Sequence, residues 1–558
     1  MTNVEIDVNR LKKELGGKFR IESVEDILFS LGIEVSGYDE KEKVMHIEVT
    51  SDRSDLLSTF GIARMLKDYL QISRQRKLKI KNSGLYINVD RSVSEVRPFI
   101  AAVAARKLRL DDQSVKELMR LQEKLHETFC NNRTLASIGL YSFEKIKFPL
   151  HYFTQVPANI TFVPLGESKI MSGDQILANT EMGKKYANIL KDHKLHPLFT
   201  DDTGEVLSYP PIINSNKLGK ITAQDTSILV EVTGTNLERV HSVLKLMAEV
   251  LFEMGGELEY VNIKYANSTD KTPDTSETVK KLRIEQAEKL IGVQLGARLA
   301  RKLLVKMGYT VNPGSGSIIK VGVPFYRHDI LHNVDIMDDI FRAYGANKLV
   351  PEAPNVFTVG EESKFAKKSG FLRNAVIGLG FDEALTLALT SEKAQYTDMG
   401  ITPKQMIKVQ SAKSNEAEIM RTNIAPELLR MLKANDRYKL PIKLFEVNDV
   451  VVRNPASDTG YGNDTRLCAV ICDLNANFTS AKQLLNFVLM LFGIQYRLES
   501  STNAMFIEGR AAKVLAKVNG NELNIGEIGE IHPQVLSNIG LESPVASLEI
   551  SLNAIFGL

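Results

Sequence analysis

The chain has 558 residues, 44% of them hydrophobic, so it can bury several cores, and its length predicts about three to five domains. Its 70 lysines and arginines nearly balance 68 aspartates and glutamates, and the net charge of +2 means that any RNA contact is local or shared with a partner. Three cysteines exclude a disulfide framework and favour a reducing compartment. No apolar run reaches the ~18 residues of a membrane span, and no signal peptide is visible. We expect a soluble, cytosolic protein.

Residues 1–90 read as an N-terminal mixed α/β domain. The polar turn SDRSD (51–55) precedes an amphipathic helix, and Ser54 is the candidate N-cap, with Asp55 near the positive helix end. Arg53 and Asp55 also suggest a functional site. Turn and cap chemistry is the commoner explanation of this spacing.

Residues 91–266 read as a larger α/β domain. Near its end come a buried strand, a Thr-Gly-Thr turn (233–235) and an amphipathic helix. Such a turn directs backbone N–H groups and a helix N-terminus toward one place. Glu231 and Thr233 alternate onto the same strand face, so both can line a pocket there.

Ser208 and Asn214 flank a Pro-Pro pair and are candidates for the other wall of this pocket. The alternative reading makes these two ordinary turn residues and Glu231 a solvated strand charge. The domain has no spacing typical of a Ser-His-Asp or Cys-His nucleophile. Hydrolysis there would therefore require a positioned water molecule.

A polar linker, 265–278, precedes a compact third domain, 272–350. Two short helices, 282–291 and 296–308, are followed by a hairpin around PGSGS, which is the order of a winged helix. The second helix carries four basic residues: Arg298, Arg301, Lys302 and Lys306. Four such positions are more often a solvated face than a DNA-reading helix.

Four carboxylates crowd the segment that follows the wing: Asp329, Asp335, Asp338 and Asp339. The last three stand at i, i+3 and i+4, so a helix places them on one face. Their mutual repulsion requires a cation or a basic surface between them. The pattern indicates either a hard-cation site or a docking surface.

Residues 355–558 read as another α/β domain. Helix, glycine turn and alternating strand follow one another in FLRNAVIGLGFDEALTLALTS (371–391), and Ile442–Val447 is a further strand. Cys468 and Cys472 share a strand face and are predicted core residues rather than metal ligands. GEIGEIHP (526–533) is weak as a phosphate loop and favours tight packing at strand ends.

Seven strings in chain order resemble the β subunit of phenylalanyl-tRNA synthetase in its archaeal and eukaryotic form. The resemblance covers nearly the whole chain. The strings are SDRSDLLSTFGIAR (51–64), QEKLH (122–126), LSYPPIINSN (207–216), VEVTGT (230–235), VPFYRHDI with DIMDDIFRAYG (323–345), GLGFDEALTLALTS (378–391) and GEIGEIHP (526–533).

The resemblance implies a β subunit that joins a catalytic α subunit in an α2β2 heterotetramer, which uses ATP to attach phenylalanine to its tRNA. It implies an editing domain, a winged-helix-like domain and a degenerate, inactive class II synthetase-like domain with an antiparallel sheet. The strand at 442–449 lacks the basic residue that grips ATP in active relatives, so we expect the aminoacylation site on α.

The resemblance also implies site residues. The editing domain hydrolyses tyrosine wrongly joined to the phenylalanine tRNA, because a phenylalanine pocket rejects the extra hydroxyl group poorly. Its editing residues correspond here to Ser208, Asn214, Glu231 and Thr233, although the family commonly has Asp where Glu231 stands. Its Mg²⁺ ligands correspond to the four aspartates named above, and oxygen-only ligands suit that ion.

Two other readings stay open. A winged-helix nucleic-acid-binding module would be stable without a synthetase-sized partner. A stand-alone tRNA deacylase would hydrolyse mischarged tRNA as an isolated chain.

Overall fold

The structure of the chain, a computed structural model, describes residues 2–17, 21–72, 78–312, 316–403 and 406–556. The chain forms two compact units, Met1–Ala353 and Pro354–Leu558. The predicted mixed α/β architecture with several sheets is confirmed. Within the described ranges, no helix is long and apolar enough to cross a bilayer.

The first module of unit 1, residues 2–72, is a three-stranded sheet with helices. Its elements are β1 (Thr2–Asp7), α1 (Val8–Glu14), α2 (Ile21–Ser30), β2 (Glu34–Asp39), β3 (Val44–Val49) and α3 (Thr59–Leu70), with sheet order β1-β3-β2. The prediction of Ser54 as the helix cap is wrong. An N-cap needs an extended backbone, and Ser54 opens a 3₁₀ turn, whereas Ser58 is extended and accepts a hydrogen bond from the Gly61 N–H.

The second module, residues 81–272, holds a ten-stranded sheet. Its strands are β4 (Lys81–Val89), β5 (Phe99–Arg106), β6 (Ala136–Ser142), β7 (Leu150–Gln155), β8 (Thr161–Phe162), β9 (Met171–Ser172), β10 (His196–Thr200), β11 (Val206–Tyr209), β12 (Ile213–Asn214), β13 (Ile228–Gly234), β14 (Glu257–Lys264) and β15 (Thr269–Thr272). Its helices are α4 (Asp112–Glu127), α5 (Gly173–Asn179), α6 (Glu181–Tyr186) and α7 (Leu237–Glu253).

The large sheet runs β12-β11-β10-β7-β4-β14-β5-β13-β6, with β15 paired to β14 and β8 and β9 forming a separate pair. Strand β4 falls in the segment assigned by sequence to the first domain (1–90), yet it pairs with β14 and β7. Strand β15 likewise lies inside the predicted linker, 265–278. Both segments belong to the second module because their backbone groups complete its sheet.

The third module, residues 278–344, follows directly. Its elements are β16 (Thr278–Arg283), α8 (Ile284–Ile291), α9 (Gly296–Lys306), β17 (Thr310–Val311), β18 (Ile318–Val323) and α10 (Asn333–Tyr344), with sheet order β16-β18-β17. The predicted helix 282–291 begins two residues late, because Leu282 and Arg283 end strand β16 and pair with β18. Of the predicted hairpin turn, residues 313–315 lie outside the described residues.

Unit 2 is built on a seven-stranded sheet ordered β19-β22-β23-β27-β26-β25-β24, antiparallel except for the β19–β22 pair. Its strands are β19 (Asp382–Glu383), β20 (Leu389–Thr390), β21 (Ile419–Met420), β22 (Ile442–Arg453), β23 (Tyr461–Cys472), β24 (Tyr496–Ser500), β25 (Phe506–Val518), β26 (Asn521–Ile531) and β27 (Val545–Ser551). Its helices are α11 (Lys364–Ile377), α12 (Ala425–Ala434), α13 (Phe478–Leu491), α14 (Pro533–Ile539) and α15 (Leu552–Phe556).

Three local predictions meet different outcomes in unit 2. Cys468 and Cys472 are buried free thiols of the core, as predicted. Gly529 packs tightly, since a Cβ there would lie 2.7 Å from the Phe506 ring, which supports packing over a phosphate loop. The alternating strand predicted within 381–391 is wrong for residues 384–388, which form no strand and expose Leu385 and Leu387.

Candidate functional site

Strand β13 places the predicted pocket residues in the middle of the large sheet. It pairs with β5 on one side and β6 on the other, so all seven of its residues are buried. Val230 and Val232 pack in the core that includes helix α7. Strand alternation therefore turns Glu231 and Thr233 to the opposite face of the sheet.

A cavity of about 330 Å³ opens on this face. Three of the four predicted residues, Ser208, Asn214 and Glu231, line it. Ser208 and Asn214 are directly opposite each other in the short β11–β12 ladder. The remaining lining is mostly apolar and includes Met119, Ile138, Leu140, Leu165, Met182, Pro210, Pro211, Ile213 and Ile221.

Glu231 is one of two acidic residues that line this cavity, the other being Glu123, and only 2% of the surface of Glu231 is exposed. Its Oε2 lies 2.7 Å from the hydroxyl group of Tyr141, which in turn lies 2.8 Å from Oγ of Ser208. Glycine is required at its cross-strand neighbour Gly139, where a Cβ would lie 2.4 Å from Oε2. One hydrogen-bonded chain thus joins two of the predicted residues.

Thr233, the fourth predicted residue, is fully buried and lies behind the cavity lining. Its Oγ1 accepts a hydrogen bond of 3.1 Å from Nε of Arg97, and its carbonyl oxygen accepts one of 2.7 Å from Nη2. Arg97 also donates to Oγ of Ser137, at 3.1 Å. The structure therefore gives Thr233 a supporting position rather than a place on the cavity wall.

The burial of these groups sets their charge. Burial raises the pKa of Glu231 to about 7, although hydrogen bonds from Tyr141 and Thr233 and the Arg97 charge oppose the shift. Burial, reinforced by Glu231, also raises the pKa of Tyr141, so its phenol stays neutral. At neutral pH the cavity therefore presents a carboxyl group that exchanges a proton readily and can accept a hydroxyl donor.

A second set of polar side chains, around Arg133, fixes the cavity wall that contains Pro211. Nη1 of Arg133 donates to the carbonyl oxygens of Pro211 and Ile212, at 3.2 and 3.0 Å. Its Nη2 donates to Glu123 at 2.9 Å. His126, from the same QEKLH segment, accepts a 2.8 Å hydrogen bond on Nε2 from the N–H of Ile138 in β6. Arg133 and Glu123 line the cavity themselves, so its wall carries a charged pair as well as apolar groups.

Sequence reasoning missed Arg97, Gly139 and Tyr141. The available signal was weak: Gly139 and Tyr141 stand two apart in a buried strand, so they share a face. Which strand lies opposite that face is a tertiary fact.

The four aspartates of the third module do not converge. Arg327 forms ion pairs with two of them, donating to Oδ1 of Asp329 at 2.8 Å and to Oδ2 of Asp339 at 2.7 Å. Asp335 accepts from the backbone N–H groups that open α10, and exposed Asp338 pairs with Arg342 at 2.7 Å. The expectation of one shared face is wrong for Asp338 and Asp339, since adjacent helix residues point about 100° apart.

This arrangement does not fit a Mg²⁺ ion. Among the residues that the structure describes, no three acidic, histidine or cysteine side chains are grouped to hold a metal. For two of the crowded carboxylates, Asp329 and Asp339, the buried guanidinium group of Arg327 supplies the neighbouring positive charge. Metal binding by the four aspartates stays a prediction from the resemblance.

A buried charge cluster joins the modules of unit 1. Asp55 is paired with Arg53, at 2.9 Å, and with Arg64 of α3. Arg64 extends to Glu249 of the second module, at 3.6 Å, and stacks 3.8 Å from the Tyr326 ring of the third. Although burial opposes ionisation, the two guanidinium groups hold the pKa of Asp55 below its usual value. Arg53 and Asp55 are thus members of a buried ion-pair cluster, which the expected turn and cap chemistry did not predict.

Comparison with known proteins finds family models for the first and third modules and for unit 2. Three protein-family models match the chain: the Phe-tRNA synthetase beta subunit B1 domain over 1–72, the tRNA synthetase B5 domain over 280–346 and the phenylalanyl tRNA synthetase beta chain CLM domain over 349–552. The phenylalanine–tRNA ligase beta subunit of Pyrococcus horikoshii is 32% identical, over 100% of both chains. The chain belongs to the phenylalanine–tRNA ligase beta subunit family.

A second relative and a solved structure agree with this membership. The Thermococcus onnurineus phenylalanine–tRNA ligase beta subunit is 31% identical over 100% of this chain and 99% of its own. An N-terminal fragment of the Pyrococcus horikoshii beta subunit matches with a TM-score of 0.59 and 33% identity, covering 62% of this chain and 99% of the fragment. The predicted resemblance is confirmed, and the chain is a member of a ligase family of protein biosynthesis.

Proposed function

We propose that the chain assembles with a catalytic α subunit, as an α2β2 heterotetramer, for the ATP-dependent attachment of phenylalanine to its tRNA. Membership in a beta subunit family supports a second kind of subunit. Phenylalanine, ATP and the Mg²⁺ that accompanies ATP are bound on α in this proposal, and unit 2 serves as an inactive relative of that fold. The protein acts in the cytoplasm.

We further propose that the cavity of the second module hydrolyses tyrosine from mischarged phenylalanine tRNA. The observation that carries this proposal is the buried carboxyl group of Glu231 in the wall of a cavity whose lining is mostly apolar. The apolar wall accepts an aromatic ring, and the ionised carboxyl group accepts the hydroxyl group that distinguishes tyrosine from phenylalanine. A site built to pair with a hydroxyl group penalises the ring that lacks it.

The remaining site residues have supporting roles in this proposal. Ser208 and Asn214 lie side by side on the cavity wall, where they position the ester and the attacking water. Thr233 accepts a hydrogen bond from Arg97, which helps to fix the strand that carries Glu231. No nucleophilic side chain with an adjacent base is needed, because the reaction transfers the acyl group to water.

The test is Tyr-tRNA(Phe) deacylation by the assembled synthetase, compared between the wild type and Glu231→Ala. We expect at least a tenfold loss of deacylation, accumulation of mischarged tRNA and an unchanged rate of phenylalanine charging. Glu257→Ala is the matched control, since Glu257 lies in the same sheet but outside the cavity, paired with lysines at the surface. Unchanged deacylation by Glu231→Ala contradicts the assignment.

The two rival functions give different results. A stand-alone deacylase would be stable and active without any partner, and a nucleic-acid-binding module would lack deacylation. Purification of the chain with and without the α subunit, followed by charging and misacylation assays, separates all three.

The hypothesis that the four aspartates bind Mg²⁺ has its own test, which is a Mg²⁺ titration of the wild type and of Asp338→Asn. Equal binding stoichiometry in the two proteins contradicts the hypothesis.

A further inference from the structure

Tyr141 stands between two residues of the cavity without lining it. Its side chain comes from β6, the strand beside Glu231, and is fully buried. Its hydroxyl oxygen lies 2.7 Å from Oε2 of Glu231 and 2.8 Å from Oγ of Ser208. The protein's own phenol thus occupies one oxygen of the carboxyl group proposed to recognise a tyrosine hydroxyl group.

A phenol has one hydrogen, so the direction of this chain depends on Glu231. When Glu231 is ionised, Tyr141 donates to it and accepts from the Ser208 hydroxyl group. When Glu231 is protonated, it donates to Tyr141, which donates to Ser208 instead. Ser208 then has its own hydrogen free for the cavity, whereas in the ionised state that hydrogen is used within the protein.

The surroundings fix this arrangement. A Cβ at Gly139 would lie 2.2 Å from the Tyr141 hydroxyl oxygen and 2.4 Å from Oε2 of Glu231, so both groups fill the space left by a glycine. The other groups facing Glu231 are Thr233 on its own strand and the Arg97 charge. Neutral Tyr152 of β7 is also near, but its hydroxyl group donates to the Arg97 carbonyl oxygen at 2.8 Å.

We propose that Tyr141 is a positioning residue of this cavity, which orients the Glu231 carboxyl group and links its protonation to the hydrogen that Ser208 offers. The effect of Tyr141 on deacylation rests on the proposed hydrolysis of Tyr-tRNA, whereas its contacts with Glu231 and Ser208 do not. The ionised form, which accepts the substrate hydroxyl group, is the active one. Deacylation therefore rises with pH as Glu231, with its pKa raised by burial to about 7, loses its proton.

The first experiment compares pH profiles of Tyr-tRNA(Phe) deacylation by the assembled synthetase. Tyr141→Phe removes a hydrogen bond that favours the ionised carboxyl group, so its rising limb moves to higher pH by about one unit. Tyr152→Phe is the matched control, because it removes an equally buried phenol hydroxyl group that does not touch Glu231. Profiles of Tyr141→Phe and Tyr152→Phe that coincide overturn the proposal.

The second experiment does not depend on deacylation. The infrared band of a protonated carboxyl group is followed against pH and assigned to Glu231 by its loss in Glu231→Gln, which also separates it from buried Glu249. We expect the midpoint of this band to move upward in Tyr141→Phe and to stay in place in Tyr152→Phe. An unmoved midpoint in Tyr141→Phe overturns the inference, whereas a moved midpoint in a chain that does not deacylate Tyr-tRNA overturns only the proposed function.

Discussion

At the scale of single residues, burial decides the chemistry of this chain more than local sequence does. Glu231 and Glu249 are both buried carboxyl groups whose pKa values burial raises to about 7. Their settings differ: Glu231 lines a cavity, while Glu249 faces Arg64 inside the charge cluster. The same shift therefore marks a candidate site in one place and an interface between modules in the other.

His126 predicts an acid sensitivity. Burial lowers its pKa to about 4, whereas the unfolded chain takes up the proton near pH 6.5. Between these values the unfolded state binds more protons, so stability is lost as the pH falls through this window, by about 3 kcal/mol. Urea unfolding between pH 4 and 8 should show that the free energy of unfolding falls less with decreasing pH in His126→Gln than in the wild type. His151→Gln, at a half-exposed histidine, is the control, and an unchanged slope for His126→Gln contradicts the prediction.

At the scale of elements, the segment from β18 to α10 shows how one buried arginine pairs with two carboxylates. Arg327 is 7% exposed and holds Asp329 and Asp339, and Asp339 also accepts a 2.6 Å hydrogen bond from Tyr309. Although burial opposes it, the carboxylates raise the pKa of Arg327. The acidic pattern is thus satisfied within its own module.

Arg327→Met tests this account. Removing the guanidinium group leaves two buried carboxylates unpaired, so we expect a loss of about 3–5 kcal/mol in the free energy of unfolding. Adding Asp339→Asn should recover part of the loss, because an amide carries no charge. Arg120→Met, which breaks an exposed pair with Glu5, should cost less than about 1 kcal/mol. Equal losses for Arg327→Met and Arg120→Met, measured by urea unfolding, would refute the role of Arg327.

At the scale of the whole molecule, unit 2 exposes several large apolar side chains. Leu385 and Leu387 are 82% and 79% exposed in the segment that follows the β19 edge strand. Phe371 and Ile377 of α11 are exposed in the same unit. Exposed apolar segments of this kind are typical of protein interfaces, and the proposed α subunit is the partner that a beta subunit requires.

Leu387→Glu combined with Leu385→Glu should weaken assembly with the α subunit. Two charges on this segment would be desolvated on docking, so we expect at least a tenfold weaker association and loss of charging activity at limiting concentrations. Leu474→Glu is the control, since Leu474 is 72% exposed elsewhere in unit 2. Co-purification and analytical ultracentrifugation measure the effect. Full assembly of the double variant would show that this segment is not part of the interface with the α subunit.

Many of the local elements, and the family, follow from the sequence alone. Periodicity predicts the strand and helix of 227–256, and strand alternation places Glu231 and Thr233 on one face, because side-chain direction follows from local geometry. Asn236 caps α7 by accepting a hydrogen bond from the Arg239 N–H, as an asparagine before an apolar periodic run favours. Seven ordered strings identify the family without any structure.

Only the tertiary structure decided which side chains meet. Tyr141 reaches Glu231 and Ser208 because β6 and β13 are neighbours in the sheet, a pairing that no spacing in the sequence encodes. Arg327 pairs with Asp339 of helix α10, twelve residues away, because the fold brings the two charges together in a buried place. Local rules fix the direction of a side chain, and packing fixes its partner.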